Sequence, residues 1–301
     1  MKTINQKIEI QFTNNISLYI KREDAIHPFV SGNKFRKLKY NLIDFEAKGY
    51  DSLVTFGGAF SNHIAATAFA CKEKGINCVG VIRGEELWKE IQHNPTLQFA
   101  QQNGMKFEFV TREDYRKKDS DQFKSYLKSK YGNCYVLPEG GTNDLAVRGC
   151  EEILTVEDAS FDYVCCAVGT GGTIAGIINS SSSDQKILGF SALKGDFLQE
   201  EIRKFAKNKN WLLITNYDFG GYAKVSTELI EFVNQFYEIT QIPLDPVYTG
   251  KMVFGVMDLI EKNYFPENSK VLMIHTGGLQ GIQGMNRFLE KKNRTKIAFN
   301  E

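Results

Sequence analysis

The residues best suited to chemistry lie in Ser31-Gly32-Asn33-Lys34-Phe35-Arg36-Lys37-Leu38. Two turn-favouring residues precede Lys34, and an apolar-periodic segment starts just after it. Phe35, Leu38, Leu42 and Phe45 recur at helical spacing until Gly49 stops the run. Lys34 is therefore expected at the mouth of a helix, near its positive end, where an ammonium is disfavoured and a neutral amine is easier to reach. A neutral lysine amine is what Schiff-base chemistry needs. Taken alone, the segment reads more simply as one solvated charge in a basic helix, because Arg36, Lys37 and Lys39 follow closely.

Three glycine-rich turns strengthen the chemical reading. Gly57-Gly58-Ala59-Phe60-Ser61-Asn62-His63 follows the apolar run Leu53 to Phe56, and Gly169-Thr170-Gly171-Gly172-Thr173 follows Tyr163 to Val168. His275-Thr276-Gly277-Gly278 follows Val271 to Ile274. Glycine lets the backbone turn tightly and present bare N–H groups at a helix start, an arrangement that binds anions. Walker A is excluded, because no Lys-Ser or Lys-Thr pair follows the glycines. The dinucleotide fingerprint is excluded too, because Ile174 stands where its third glycine should be. Ser61 is a helix-cap residue that can also meet a ligand. His63 and His275 read better as structural hydrogen-bond residues than as proton shuttles.

These turns need a scaffold. Short β-branched runs at 53–56, 78–82, 107–110, 134–137, 163–168, 187–192, 212–215 and 271–275 alternate with helical stretches at 62–74, 121–130, 144–155, 197–207, 225–237 and 251–263. Such alternation implies an α/β fold with parallel sheets and helices on both faces. In open parallel sheets ligands bind at the carboxyl ends of strands, so the three turns should face one cleft. Pro138-Glu139-Gly140-Gly141 breaks the pattern before a second strand–helix series.

Composition removes other classes. A net charge of +1, from 37 basic against 36 acidic residues, supplies no field for nucleic acid or anionic membrane. No stretch reaches the roughly 18 apolar residues of a membrane span. The N-terminus has no signal-peptide core, so a soluble cytoplasmic protein is expected. The six cysteines form no CxxC pair and read as buried thiols, and the four histidines offer no metal spacing.

In this order, Gly32-Asn33-Lys34, the three glycine turns and Leu244-Asp245-Pro246-Val247-Tyr248-Thr249-Gly250-Lys251 resemble the 1-aminocyclopropane-1-carboxylate deaminase and D-cysteine desulfhydrase family. The likeness runs from about Tyr19 to about Met285, most of the chain. It implies pyridoxal 5'-phosphate as cofactor, a tryptophan-synthase-β-like fold, and a small amino-acid substrate. A homodimer is implied as well, together with a large domain (1–36 plus 145–301) into which a small one (37–144) is inserted.

The resemblance also implies roles. Lys34 forms the internal aldimine beside Asn33, Asn62 meets the ring hydroxyl, and Ser61 sits by the substrate. Gly169, Thr170, Gly171, Gly172 and Thr173 hold the phosphate, with Thr276 and Gly277 also at the cofactor. Tyr222 and Tyr248 are the active-site tyrosines, and Thr249 partners the ring nitrogen. The deaminase branch has glutamate at that last position. A carboxylate there makes the ring a strong electron sink, which opening a cyclopropane demands, whereas a neutral hydroxyl suits loss of a good leaving group such as thiolate. The expectation is therefore D-cysteine desulfhydrase-type β-elimination. 1-Aminocyclopropane-1-carboxylate deamination is the alternative, and a non-catalytic binding protein of the same fold a more distant one.

Overall fold

Apolar runs of four to six residues, buried on both faces, need two layers of helices to cover them. A computed structural model describes residues 3–12, 14–195 and 197–299. Its strands are β1 (Asn5–Lys7), β2 (Ser17–Lys21), β3 (Ser52–Gly57), β4 (Asn77–Arg83), β5 (Lys106–Val110), β6 (Cys134–Leu137), β7 (Tyr163–Val168), β8 (Lys186–Ser191), β9 (Trp211–Ile214) and β10 (Lys270–Ile274). They form a six-stranded sheet ordered β1-β2-β10-β7-β8-β9 and a four-stranded sheet ordered β5-β4-β3-β6. Only the β1–β2 pair is antiparallel among the described strands.

Period-two alternation divides each central strand between two cores. Along β7, Tyr163, Cys165 and Ala167 enter one cluster, while Val164, Cys166 and Val168 enter the other. In the smaller sheet Leu53 and Ile82 face one way, Val54 and Val81 the other. All six cysteines are buried and unbridged. No helix among the described residues is long and apolar enough to cross a membrane.

The helix after Gly32 runs Asn33–Ala47 and buries Leu38, Leu42 and Phe45, as the spacing requires. Gly32 must be glycine: its φ is +61°, and a Cβ there would lie 2.0 Å from the Thr276 carbonyl oxygen. This contact pins the start of the helix to the exit of β10. Two of the neighbouring charges, Arg36 and Lys37, are buried, while Lys39 is exposed. Arg36 is buried and bonds Glu23 through Nε at 2.8 Å.

Two differences from the sequence reading have physical causes. β1 and β2 escaped it because Lys21 and Arg22 interrupt the apolar pattern, but Lys21 is buried against Asp158 at 2.8 Å. The helix expected over 144–155 stops at Cys150, since the Thr155 N–H and hydroxyl fold back onto the Asp158 carboxylate.

Candidate active site

The three glycine turns leave the carboxyl ends of β3, β7 and β10, and the structure brings them together around the Lys34 helix. The Asn33 side chain donates to Thr173 Oγ1 at 2.9 Å, and its backbone N–H donates to the Thr276 oxygen at 3.2 Å. A side chain at Gly278 would come within 2.7 Å of Asn62 Nδ2, so the β10 and β3 turns touch. A Cβ on Gly277 would meet Ser31. Ser61 caps the Asn62–Glu73 helix by accepting the Ile64 N–H at 3.3 Å, which leaves its hydroxyl proton for a ligand.

Two amines stand one turn apart in this site and differ in their surroundings. Lys37, buried, donates to Thr142 Oγ1 at 2.8 Å, Gly140 oxygen at 3.1 Å and Thr170 Oγ1 at 3.3 Å. Lys34 has no hydrogen-bond acceptor among the described residues. Burial pushes its pKa from 10.5 down to about 7, with the Lys37 charge adding to the shift. The sequence argument credited the helix dipole for easing loss of the proton; burial and a neighbouring cation act in the same direction. Burial and the two lysines also hold His63 well below its usual range. This neutral ring bonds Thr55 Oγ1 at 2.7 Å, and Thr55 in turn donates to Leu137 oxygen at 3.0 Å, which makes His63 a structural link between β3 and β6. His275 is likewise structural: its Nε2 meets Pro243 oxygen and its Nδ1 accepts the Gly277 N–H.

The second glycine turn caps the Gly172–Ser180 helix, with Gly171 left-handed at φ +82°. Bare N–H groups of the first helical turn, the Thr170 and Thr173 hydroxyls and the buried Lys37 amine, which has no carboxylate partner among the described residues, make a donor set that fits a phosphate. Lys37 is the functional residue that sequence reasoning missed. Its signal was available, because residues three apart on a helix share a face.

Tyr248 reaches the same turn, since a Cβ on Gly169 would lie 3.0 Å from its ring. Its ring stands 6.2 Å, edge-on, from that of Tyr222. Burial raises the pKa of both; the proximity of the two hydroxyls pulls Tyr222 back and pushes Tyr248 higher still. Both hydroxyls therefore keep their protons at neutral pH, and Tyr222 is the readier donor. Thr249 is fully buried, with its hydroxyl donating to Asp245 Oδ2 at 2.7 Å. The Asp245 carboxylate also accepts N–H bonds from Val247, Tyr248 and Thr249. It caps the Thr249–Glu261 helix, with no oxygen turned free toward the cleft.

Comparison with known proteins gives the family. The model of the family described as "Pyridoxal-phosphate dependent enzyme" matches residues 8–277. A relative from Arabidopsis thaliana, a mitochondrial bifunctional D-cysteine desulfhydrase/1-aminocyclopropane-1-carboxylate deaminase, is 33% identical over 89% of this chain and 74% of its own. A 1-aminocyclopropane-1-carboxylate deaminase of Bradyrhizobium is 28% identical over 89% and 88%. The solved structure of an "ACC deaminase homologue" superposes with a TM-score of 0.84 at 28% identity, covering 97% of this chain and 94% of that one. The chain belongs to the pyridoxal-phosphate dependent enzymes, in the family of 1-aminocyclopropane-1-carboxylate deaminases and D-cysteine desulfhydrases. Its cofactor is pyridoxal phosphate.

The depressed Lys34 pKa gives a pH dependence with a definite sign. The reactive amine is neutral above about 7 and protonated below it. Covalent capture of pyridoxal phosphate by apoprotein, followed by its absorbance, should slow about tenfold per pH unit below that point and level off above it. A rate still climbing through pH 9 would mean that Lys34 titrates as an ordinary exposed lysine.

Proposed function

We propose that this enzyme eliminates a β-substituent from a small amino acid, with D-cysteine going to pyruvate, ammonia and sulfide. The observation that carries this reading is the state of position 249. The expected ring-nitrogen position holds a neutral hydroxyl, and the carboxylate behind it, Asp245, already accepts four bonds. An arrangement without a free carboxylate favours expulsion of a good leaving group over opening of a cyclopropane.

Bound pyridoxal phosphate supplies an electron sink for the electron pair left at the substrate Cα. Lys34 would supply the amine that holds the cofactor covalently, and the same neutral amine would take the substrate Cα proton. Lys37 and the turn from Gly169 to Thr173 hold the phosphate. Asn62, with Ser61 at the helix start, orients the ring and the substrate carboxylate. Tyr222, the readier acid of its pair, gives a proton to the departing thiolate, and Tyr248 aligns it. A homodimer and a cytoplasmic location belong to the same proposal, as does division into 1–36 plus 145–301 and 37–144.

Deamination of 1-aminocyclopropane-1-carboxylate is the second reading, favoured by the names of the relatives. Keto-acid formation from D-cysteine, 1-aminocyclopropane-1-carboxylate, D-serine and L-serine, with sulfide detection, separates the two. The proposal expects kcat/KM for D-cysteine to lead by about tenfold or more, one kcal-scale contact's worth of discrimination. A 2-oxobutanoate yield exceeding sulfide would reverse the order.

A further inference from the structure

The loop that carries Tyr222 has an unusual backbone. Phe219 (φ +52°), Gly220 (+92°), Gly221 (+109°) and Ala223 (+55°) all lie in the left-handed region, which non-glycine residues adopt at a cost. Nothing within the loop explains why it stays there. Its hydrogen bonds to itself are few: Gly221 N–H to Asp218 oxygen, Lys224 N–H to Gly221 oxygen and Gly220 N–H to the Asp218 side chain.

The Thr249–Glu261 helix holds the loop from outside. Lys251 is fully buried, and its ammonium donates to Asp218 oxygen at 2.7 Å and to Gly221 oxygen at 2.8 Å. No carboxylate pairs with it among the described residues. One helical turn on, the Phe254 ring meets Phe219 edge-on at 5.1 Å. A further turn on, Asp258 accepts the Tyr217 hydroxyl. Positions 251, 254 and 258 form one face of the helix. A buried cation spent on two backbone carbonyls is an expensive way to satisfy them unless their position matters.

We propose that Lys251 is a positioning residue: by clamping the 218–221 backbone to the helix that starts beside Tyr248, it fixes the Tyr222 ring against Tyr248. The inference rests on the role given to Tyr222 above, but the loop clamp itself does not. Both tyrosines thus hang from the same turn of one helix, Tyr248 through the chain and Tyr222 through the Lys251 ammonium. Lys251 touches no reacting atom in this scheme.

The test uses holoenzyme of the wild type, Lys251→Met, Tyr222→Phe and the double variant. In Lys251→Met, amide hydrogen exchange over 218–223 should rise about tenfold or more, while the affinity for pyridoxal phosphate and the absorbance of the bound cofactor stay within about threefold of wild type. Its kcat should fall by the same factor as in Tyr222→Phe, and the double variant should fall no further. Lys251→Gln keeps N–H donors and should restore part of the protection; it carries the comparison if Lys251→Met does not fold. Unchanged exchange over 218–223, or kcat losses that multiply in the double variant, would overturn the proposal. If Tyr222→Phe keeps full kcat, the role of Tyr222 falls, while the exchange data still decide that of Lys251.

Discussion

Lys34→Ala should lower turnover by about 10⁴-fold or more, because one amine both attaches the cofactor and moves the substrate proton. The band at roughly 410–430 nm expected of the attached cofactor should vanish with it. Cofactor binding should weaken but persist, since Lys37 and the turn from Gly169 to Thr173 are untouched. Folding should not suffer: alanine is a good helix former, and the lost amine has no hydrogen-bond acceptor among the described residues. Lys37→Ala is the informative control. Lys37 is the nearest other amine in the helix, and burial lowers its pKa too, but its nitrogen is already engaged by three oxygens within 3.3 Å. If the band survives in Lys34→Ala and disappears in Lys37→Ala, the two roles must be exchanged.

Lys37→Met should raise the dissociation constant for pyridoxal phosphate roughly 10- to 100-fold, the effect of losing a charged hydrogen bond to a buried anion. Unphosphorylated pyridoxal makes the result specific. If Lys37 serves the phosphate, its affinity for pyridoxal stays near the wild-type value, and the two ligands converge. Equal losses for both would mean that the residue merely braces Gly140, Thr142 and Thr170. The substitution leaves Gly140 oxygen without this donor, so thermal unfolding belongs beside the binding measurement to separate affinity from stability.

Lys251→Met and the pH profile of cofactor capture have smaller expected effects, but each isolates a cause. The first asks whether a strained loop needs its external clamp. The second asks whether burial sets the reactivity of Lys34.

Local signals carried much of this protein into view. Turn residues before Lys34, a helical apolar stripe after it and glycines at strand exits are all written in neighbouring positions. Strand–helix alternation likewise specified two parallel sheets, because periodicity reports which faces are buried. β1 and β2 were invisible for the same reason: a buried Lys21 looks like a surface residue until Asp158, 137 positions away, is seen to pair with it.

Taken alone, the order of motifs determined the family and the cofactor. The electrostatic state of the site came from the tertiary structure. Lys37 gained its partners from residues 103 to 133 positions distant, and the Lys34 pKa falls chiefly because other segments bury its amine. Thr249 turned its hydroxyl to Asp245, and Tyr222 took its place through a lysine on another element. Desolvation and long-range hydrogen bonds depend on which distant atoms meet, and no pattern of neighbours along the chain records that.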